Sequence, residues 1–170
     1  MKVLNAQETA AALPFDALID QMARLFANGQ SCPDRHHHTM PMLGEPDATL
    51  LLMPAWTDTI GCVKLVTATP GNTARKLPAI AGSVLIFDRA TGSLLALLDG
   101  TVLTARRTAA ASALAARYLS RKDSKSLLLL GAGKVAAQLP GAFRAVRPIE
   151  KILVWDLFPA AAERLAEDLS

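Results

Sequence analysis

The chain has 170 residues, of which 51% are hydrophobic and 19% are charged. This length predicts one domain or two small ones, and the composition excludes a disordered chain. No apolar run reaches the roughly 18 residues that a membrane-spanning helix needs. The formal net charge of +3 is scattered along the chain, so neither a membrane nor a nucleic acid is an expected partner.

The chain contains two cysteines, Cys32 and Cys62, which are well separated. Two distant cysteines exclude a disulfide-stapled scaffold and fit a reducing compartment. Polar residues interrupt the first residues of the chain before the apolar core of a signal peptide can form. We therefore expect a cytoplasmic protein.

The first elements are a short strand over residues 1–5 and two helices. Asn5 and Glu8 have the spacing of a capping box at the start of the first helix. The second helix is predicted over residues 14–29, because it opens with a proline and ends at Asn-Gly. We expect both helices to cover a sheet.

Short apolar runs separated by turn residues follow between residues 32 and 99. This pattern is typical of an antiparallel sheet with hairpins, of which Asp88–Gly92 is the tightest. The predicted strands lie at 49–56, 60–70, 82–88 and 93–99.

In the last third of the chain, the predicted hairpins give way to helices that alternate with strands. Thr104 is the predicted N-cap of an alanine-rich helix over 105–119, and the polar segment that follows predicts a domain boundary. Beyond it we expect a strand, a glycine turn, a helix, a second strand and a final helix. These elements are placed at 126–130, 131–133, up to about Val146, 151–156 and 159–170.

The glycine turn matches G-x-G-x-x-G/A at Gly131, Gly133 and Ala136. After a strand and before a helix, this spacing lets the backbone approach a pyrophosphate, which the helix N-terminus favours. Asp156 ends the next apolar run, where an acidic residue binds a cofactor ribose hydroxyl. Asp156 would repel a 2′-phosphate, so NAD is favoured over NADP.

A glycine turn before a helix has two other interpretations. A P-loop is excluded, because Leu128 and Val135 stand where that motif needs glycine and Ser or Thr. A plain strand-to-helix turn that binds no ligand stays open, since glycine turns are general features of proteins.

Three basic residues have surroundings that permit two interpretations. Lys64 interrupts an apolar strand, Arg107 lies on the alanine-rich helix, and Arg35 precedes three histidines. Each side chain either points to water or binds a carboxylate in a cleft. His36 and His38 share a strand face, but no further ligands complete a metal site, so we expect no metal there.

Several segments together resemble the ornithine cyclodeaminase/mu-crystallin family. They are GCVKLVTATPGN, DRATGSLLALLDG, LTARRTAAASALAA, GAGKVAAQ and VRPIEKILVWD. The resemblance implies an α/β protein: a mixed-sheet domain for substrate binding and dimerisation over 1–120, then the start of a Rossmann NAD-binding domain over 121–170.

The resemblance also implies the roles of individual residues. Arg35, Lys64 and Arg107 match substrate-binding positions, and Lys64 is the expected catalytic residue. The pyrophosphate turn comprises Gly131, Gly133, Lys134 and Val135, and Asp156 occupies the ribose position.

The implied function is NAD-dependent conversion of L-ornithine to L-proline and ammonia through hydride transfer and an imine. Alternatives are a ketimine or pyrroline-carboxylate reductase, an alanine dehydrogenase, or a non-catalytic ligand-binding module like mu-crystallin. A homodimer acting on a small amino acid or cyclic imine is expected.

The sequence also departs from the family pattern. Family members are roughly twice as long, and their acid/base aspartate lies beyond the matched segments. Val135 replaces a glutamine and Ala79 a threonine, and Pro140 with Gly141 should kink the Rossmann helix.

Overall fold

The computed structural model describes residues 1–169. They form two compact units, one combining Met1–Ala12 with Asn28–Leu103, the other combining Leu13–Ala27 with the chain from Thr104 onward. These units follow packing rather than chain order, so the predicted functional division into 1–120 and 121–170 stays a prediction. Within the described residues, no helix combines the length and apolar character that crossing a membrane requires.

The first unit is built on a six-stranded sheet. Its strands are β1 (Lys2–Leu4), β2 (His36–Met40), β3 (Ala48–Trp56), β4 (Ile60–Ala68), β5 (Ile80–Asp88) and β6 (Leu94–Asp99). They lie in the order β1-β6-β5-β4-β3-β2. β1 runs parallel to β6 and the other pairs are antiparallel, which confirms the predicted mixed sheet.

Two local predictions in this unit are confirmed. Helix α1 (Ala6–Ala11) carries the capping box, with Asn5 and Glu8 each accepting the other's backbone N–H at 2.9 Å. The tight turn from Asp88 joins β5 to β6, and the Asp88 carboxylate accepts bonds from the amide and hydroxyl of Thr91. Gly92 supplies the positive φ of 71° that this turn requires.

Helix α3 (Gly100–Leu119) begins about one turn earlier than predicted. The Asp99 carboxylate accepts the amide of Val102 at 2.8 Å, so Asp99, not Thr104, provides the N-terminal side-chain cap. A Cβ on Gly100 would lie 2.5 Å from the backbone carbon of Gly82. The helix therefore starts directly against β5, where only glycine fits, and the predicted cap at Thr104 is wrong.

The second unit combines helices with one pair of parallel strands. It contains α2 (Phe15–Asn28), most of α3, β7 (Ser126–Leu130), α4 (Leu139–Arg144), β8 (Lys151–Trp155) and α5 (Pro159–Asp168). The buried core consists of Ile19, Ala109, Ala110, Ala113, Leu114 and Ala142. α2 thus packs on the alanine face of α3, and the expectation that it covers a sheet is wrong.

The predicted helix after the glycine turn is divided into two parts. A 3-10 helix over Ala136–Gln138 comes first, and α4 then starts at Leu139. Pro140 is buried in the first turn of α4, where its missing N–H has no helical partner to lose. The predicted irregularity is a change from 3-10 to α-helix, with Gln138 and Leu139 both in the right-handed helical region. The last predicted helix was placed up to Ser170, which lies outside the described residues.

Candidate functional site

Lys64 lies in the middle of the first unit's sheet. It stands on the central strand β4, opposite Met53 of β3 and Val84 of β5. Residues opposite each other in an antiparallel pair share a face, so Lys64 lies on the face of the buried Val84. Its side chain is half-buried, and the fully solvated alternative therefore loses support.

Arg35 comes directly before β2, whose first pair joins His36 to Leu52. Continuing that register by one residue places Arg35 opposite Met53, the residue that also faces Lys64. An unbroken register would place the two cations on one face, two strand spacings or about 10 Å apart. Arg35 is exposed and lies outside the strand.

Cys62 is two residues before Lys64 on the same face of β4. Burial raises the pKa of the Cys62 thiol, and the nearby Cys32 adds to the increase. Cys62 is therefore a neutral thiol at physiological pH, and it adds no negative charge beside the lysine.

The glycine turn of the second unit is open to a ligand. Gly131 has a φ of 110°, and a Cβ placed on either Gly131 or Gly133 would meet no atom within 4 Å. In the part of the chain that the structure describes, the amides of Gly133, Lys134 and Val135 donate to no backbone acceptor outside a helix or strand. Open space and free amides at a helix start are what a pyrophosphate requires, so the residues present fit this group.

Asp156 is bonded directly to the glycine turn. One carboxylate oxygen accepts the amide of Ala132 at 2.7 Å and the other accepts the amide of Phe158 at 2.9 Å. These bonds, the one from Phe158 first, lower the pKa of Asp156, so it is ionised at neutral pH. Each oxygen keeps a second lone pair for a ribose hydroxyl.

The departures from the family pattern have different consequences. Val135 lies at the start of the helical turn after Gly133, where its backbone carbonyl accepts the amides of Gln138 and Leu139. These bonds do not depend on the side chain at position 135. Ala79 closes the loop between β4 and β5 by accepting the amide of Thr69 at 2.7 Å. Neither substitution removes a backbone feature of the site.

Arg106 and Arg107 have different environments on α3. The predicted ligand Arg107 is exposed, whereas Arg106 is half-buried and bonds to Leu13 and Gln138. Sequence reasoning did not single out Arg106. Arg106 lies three, four and seven residues before Ala109, Ala110 and Ala113, so it shares their buried helical face. This helical spacing is the feature of the sequence that indicates its burial.

The polar face of β2 shows no metal centre. The rings of His36 and His38 lie 6.4 Å apart, centre to centre, and both are exposed. Among residues 1–169, no group of three histidine, cysteine or acidic side chains could hold a metal ion.

Solved structures of three enzymes share this architecture. A lysine cyclodeaminase is 35% identical with a TM-score of 0.76, over 98% of this chain and 52% of its own. The Thermococcus litoralis Δ1-pyrroline-2-carboxylate reductase, solved with NADH and L-proline, is 34% identical with a TM-score of 0.74, over 100% and 54%. An archaeal alanine dehydrogenase dimer with bound NAD is 28% identical with a TM-score of 0.81, over 99% and 52%.

The match extends over the whole sequence. The chain spans about half the length of the curated relatives it matches. The sequence model of one family covers residues 1–170, in agreement with the mixed sheet and the glycine turn. The chain belongs to the ornithine cyclodeaminase/mu-crystallin family.

Proposed function

We propose that this chain provides the amino-acid site and the first part of the NAD site of an enzyme that transfers hydride at the α carbon of an amino acid. The observation that carries the proposal is the open glycine turn bonded to Asp156 through Ala132. Because the relatives are about twice as long, the proposal concerns what these residues contribute to the reaction.

The second unit would hold the cofactor. The amides of Gly133, Lys134 and Val135 would bind the pyrophosphate, and Asp156 would bind the ribose hydroxyls of NAD and repel the 2′-phosphate of NADP. When bound, the nicotinamide supplies the acceptor or donor of the hydride.

The first unit would hold the substrate. Arg35, at the start of β2, and Lys64, on β4, would bind the substrate carboxylate. Arg107 stays the third predicted substrate-binding residue. A two-point grip on the carboxylate fixes the α carbon. The half-buried ammonium of Lys64 would also polarise the reacting nitrogen or carry its proton, and this is its proposed catalytic role.

Ornithine cyclodeamination is the first candidate reaction. Hydride leaves the α carbon and gives an imine, the side-chain amine adds to the imine carbon, and ammonia is expelled. The hydride then returns to the cyclic imine to give proline, so that the cofactor is regenerated. The likeness to a lysine cyclodeaminase supports this candidate.

Reduction of a cyclic imine is the second candidate. It uses only the last half of that sequence, in which hydride adds to the imine carbon and a proton to nitrogen. The likeness to a reductase solved with NADH and L-proline, over the full length of this chain, supports it.

Cofactor balance separates the candidates in an assay of the purified protein. A cyclodeaminase releases ammonia from ornithine without net NADH, a reductase consumes one NADH for each Δ1-pyrroline-2-carboxylate, and an alanine dehydrogenase forms NADH from alanine. NADH binding without turnover fits both a partial active site and a mu-crystallin-like binding role, and absence of NADH binding would contradict the proposal.

We also propose a homodimer, as in the archaeal alanine dehydrogenase. Leu65 stands in the middle of β4 on the face opposite Lys64 and is 41% exposed, and an exposed apolar sheet face favours association. Sedimentation equilibrium should give twice the 18.0 kDa chain mass, and a monomer at micromolar concentration would contradict this.

A further inference from the structure

Arg106 makes an unusual set of contacts for an arginine on a helix. Its Nε and one terminal nitrogen donate to the carbonyl oxygen of Leu13 at 3.0 and 2.7 Å. The other terminal nitrogen donates to Oε1 of Gln138 at 3.1 Å. Its guanidinium carbon lies 4.1 Å from the centre of the Phe15 ring. One side chain thus joins the start of α2 to the segment that follows the glycine turn.

These contacts do not include an anion. No carboxylate of residues 1–169 forms an ion pair with Arg106, and burial lowers its pKa, although a guanidinium stays charged at every physiological pH. Keeping an unpaired charge half-buried costs free energy. That cost is offset here by hydrogen bonds to two neutral acceptors and by the face of an aromatic ring.

The segment that Arg106 reaches is the short helical turn between the glycine turn and α4. Gln138 ends the 3-10 helix that follows Gly133, and Pro140 cannot donate a bond as α4 begins. Backbone bonds from Ala137 to Gly133 and from Gln138 and Leu139 to Val135 close this helical turn. The Gln138 side chain offers an additional point of attachment.

The Phe15 ring contacts both α4 and Arg106. A Cβ on Gly141 would lie 2.9 Å from Cε2 of Phe15, so the ring packs directly on the backbone of α4. The ring contacts Arg106 as well. Gly141 is thus required by this packing, and the Pro140-Gly141 pair allows a new helix to start against the Phe15 ring.

We propose that Arg106 is a positioning residue for the cofactor site: through Gln138 it fixes the helical turn after Gly133 and so directs the amides of Gly133, Lys134 and Val135. This inference rests on the proposed function, in which those amides bind the NAD pyrophosphate. Arg106 itself does not touch the cofactor in this role.

Amide hydrogen exchange of the cofactor-free protein tests whether Arg106 fixes the helical turn, independently of NADH binding. In Arg106→Met, the amides of residues 136–139 should exchange about tenfold faster, the loss of about one hydrogen bond, while those of β7 keep their rates. Gln138→Leu should give the same local change and serves if Arg106→Met does not fold. Arg164→Met, at an exposed arginine of α5, is the matched control. Unchanged exchange at 136–139 in both variants would overturn the proposal.

NADH titration tests the consequence for the site. Arg106→Met and Gln138→Leu should each raise the Kd for NADH about tenfold, and the double variant should raise it no further, because the two residues act through one bond. Additive effects, or unchanged affinity, would overturn the proposal. If the unsubstituted protein does not bind NADH, the proposed function fails, and the exchange experiment still decides whether Arg106 holds the turn.

Discussion

At the scale of single residues, substitution of Lys64 tests whether this lysine is catalytic or structural. Its central place on β4, half-buried and opposite Val84, predicts that Lys64→Ala lowers kcat/KM about 10²–10³-fold, the usual loss for a group that stabilises charge in the transition state. Steady-state kinetics on the preferred substrate measures the loss. Lys2→Ala, an exposed lysine on β1 of the same sheet, is the matched control, and a near-normal rate in Lys64→Ala would restore the solvated-lysine interpretation.

Asp156 gives a prediction for the pH dependence of stability. Its pKa in the folded protein lies below the ordinary 3.8, so its contribution is present at neutral pH and disappears as pH falls through the lowered value. Asp156→Asn, whose amide offers only one acceptor oxygen, should be less stable than the unsubstituted protein at pH 7. Thermal unfolding at several pH values should show the two proteins converging below pH 3.8, and a constant difference would contradict this role.

Lys76 is the one non-glycine residue among residues 1–169 with positive φ, at 56°. A side chain in this left-handed region costs about 1–2 kcal/mol, and the extra freedom of glycine in the unfolded chain offsets about 0.5–1 kcal/mol of that. Lys76→Gly should therefore raise the free energy of unfolding by about 0.5–1 kcal/mol. Lys76→Ala keeps the Cβ and should give no gain in the same urea titration, so equal gains in both variants would exclude backbone strain as the cause.

At the scale of elements, Arg147 closes the C-terminal end of α3. This buried side chain donates to the carbonyls of Ala116, Arg117 and Ser120 and to the Ser120 hydroxyl, at 2.8 to 2.9 Å. Arg147→Met removes these four hydrogen bonds of a buried guanidinium and should lower the free energy of unfolding by about 3 kcal/mol. Arg144→Met, three residues earlier and exposed, should change it by less than about 0.5 kcal/mol; similar losses would contradict the capping role.

The elements that the sequence predicted well are those whose signals are local. The hairpin after Asp88 and the capping box at Asn5 depend on residues within a few positions of each other, and both were confirmed. The start of α3 depends instead on the close approach of Gly100 to Gly82. No local sequence pattern predicts that contact. A glycine normally disfavours a helix, so Gly100 is not expected at the start of one.

The candidate site shows the same difference between local and distant signals. The glycine turn and Asp156 were predicted from spacing, and the structure bonds them to each other. Arg106 was missed because its partners Leu13 and Gln138 are far away in the chain. The helical period that groups Arg106 with Ala109 and Ala113 indicates that Arg106 is buried, but it does not identify these partners.

At the scale of the whole molecule, one face of the parallel pair β7 and β8 is open and apolar. We define this face by Leu128, Leu130, Leu153 and Trp155, which are 57, 75, 46 and 57% exposed. On the opposite face Leu129 is only 2% exposed. Parallel strands are normally covered on both faces, so the open face is an apolar patch that favours association with other apolar surfaces.

Leu130→Lys should therefore raise the protein concentration at which the 170-residue chain begins to self-associate and lower its binding of a hydrophobic dye. The lysine replaces apolar area with a charge on a side chain that is already exposed, so the melting temperature should stay the same. Leu77→Lys is the matched control, because Leu77 is 55% exposed but lies in the loop before β5. If light scattering and dye fluorescence change equally in the two variants, added charge alone explains the effect; a change confined to Leu130→Lys assigns it to the open face.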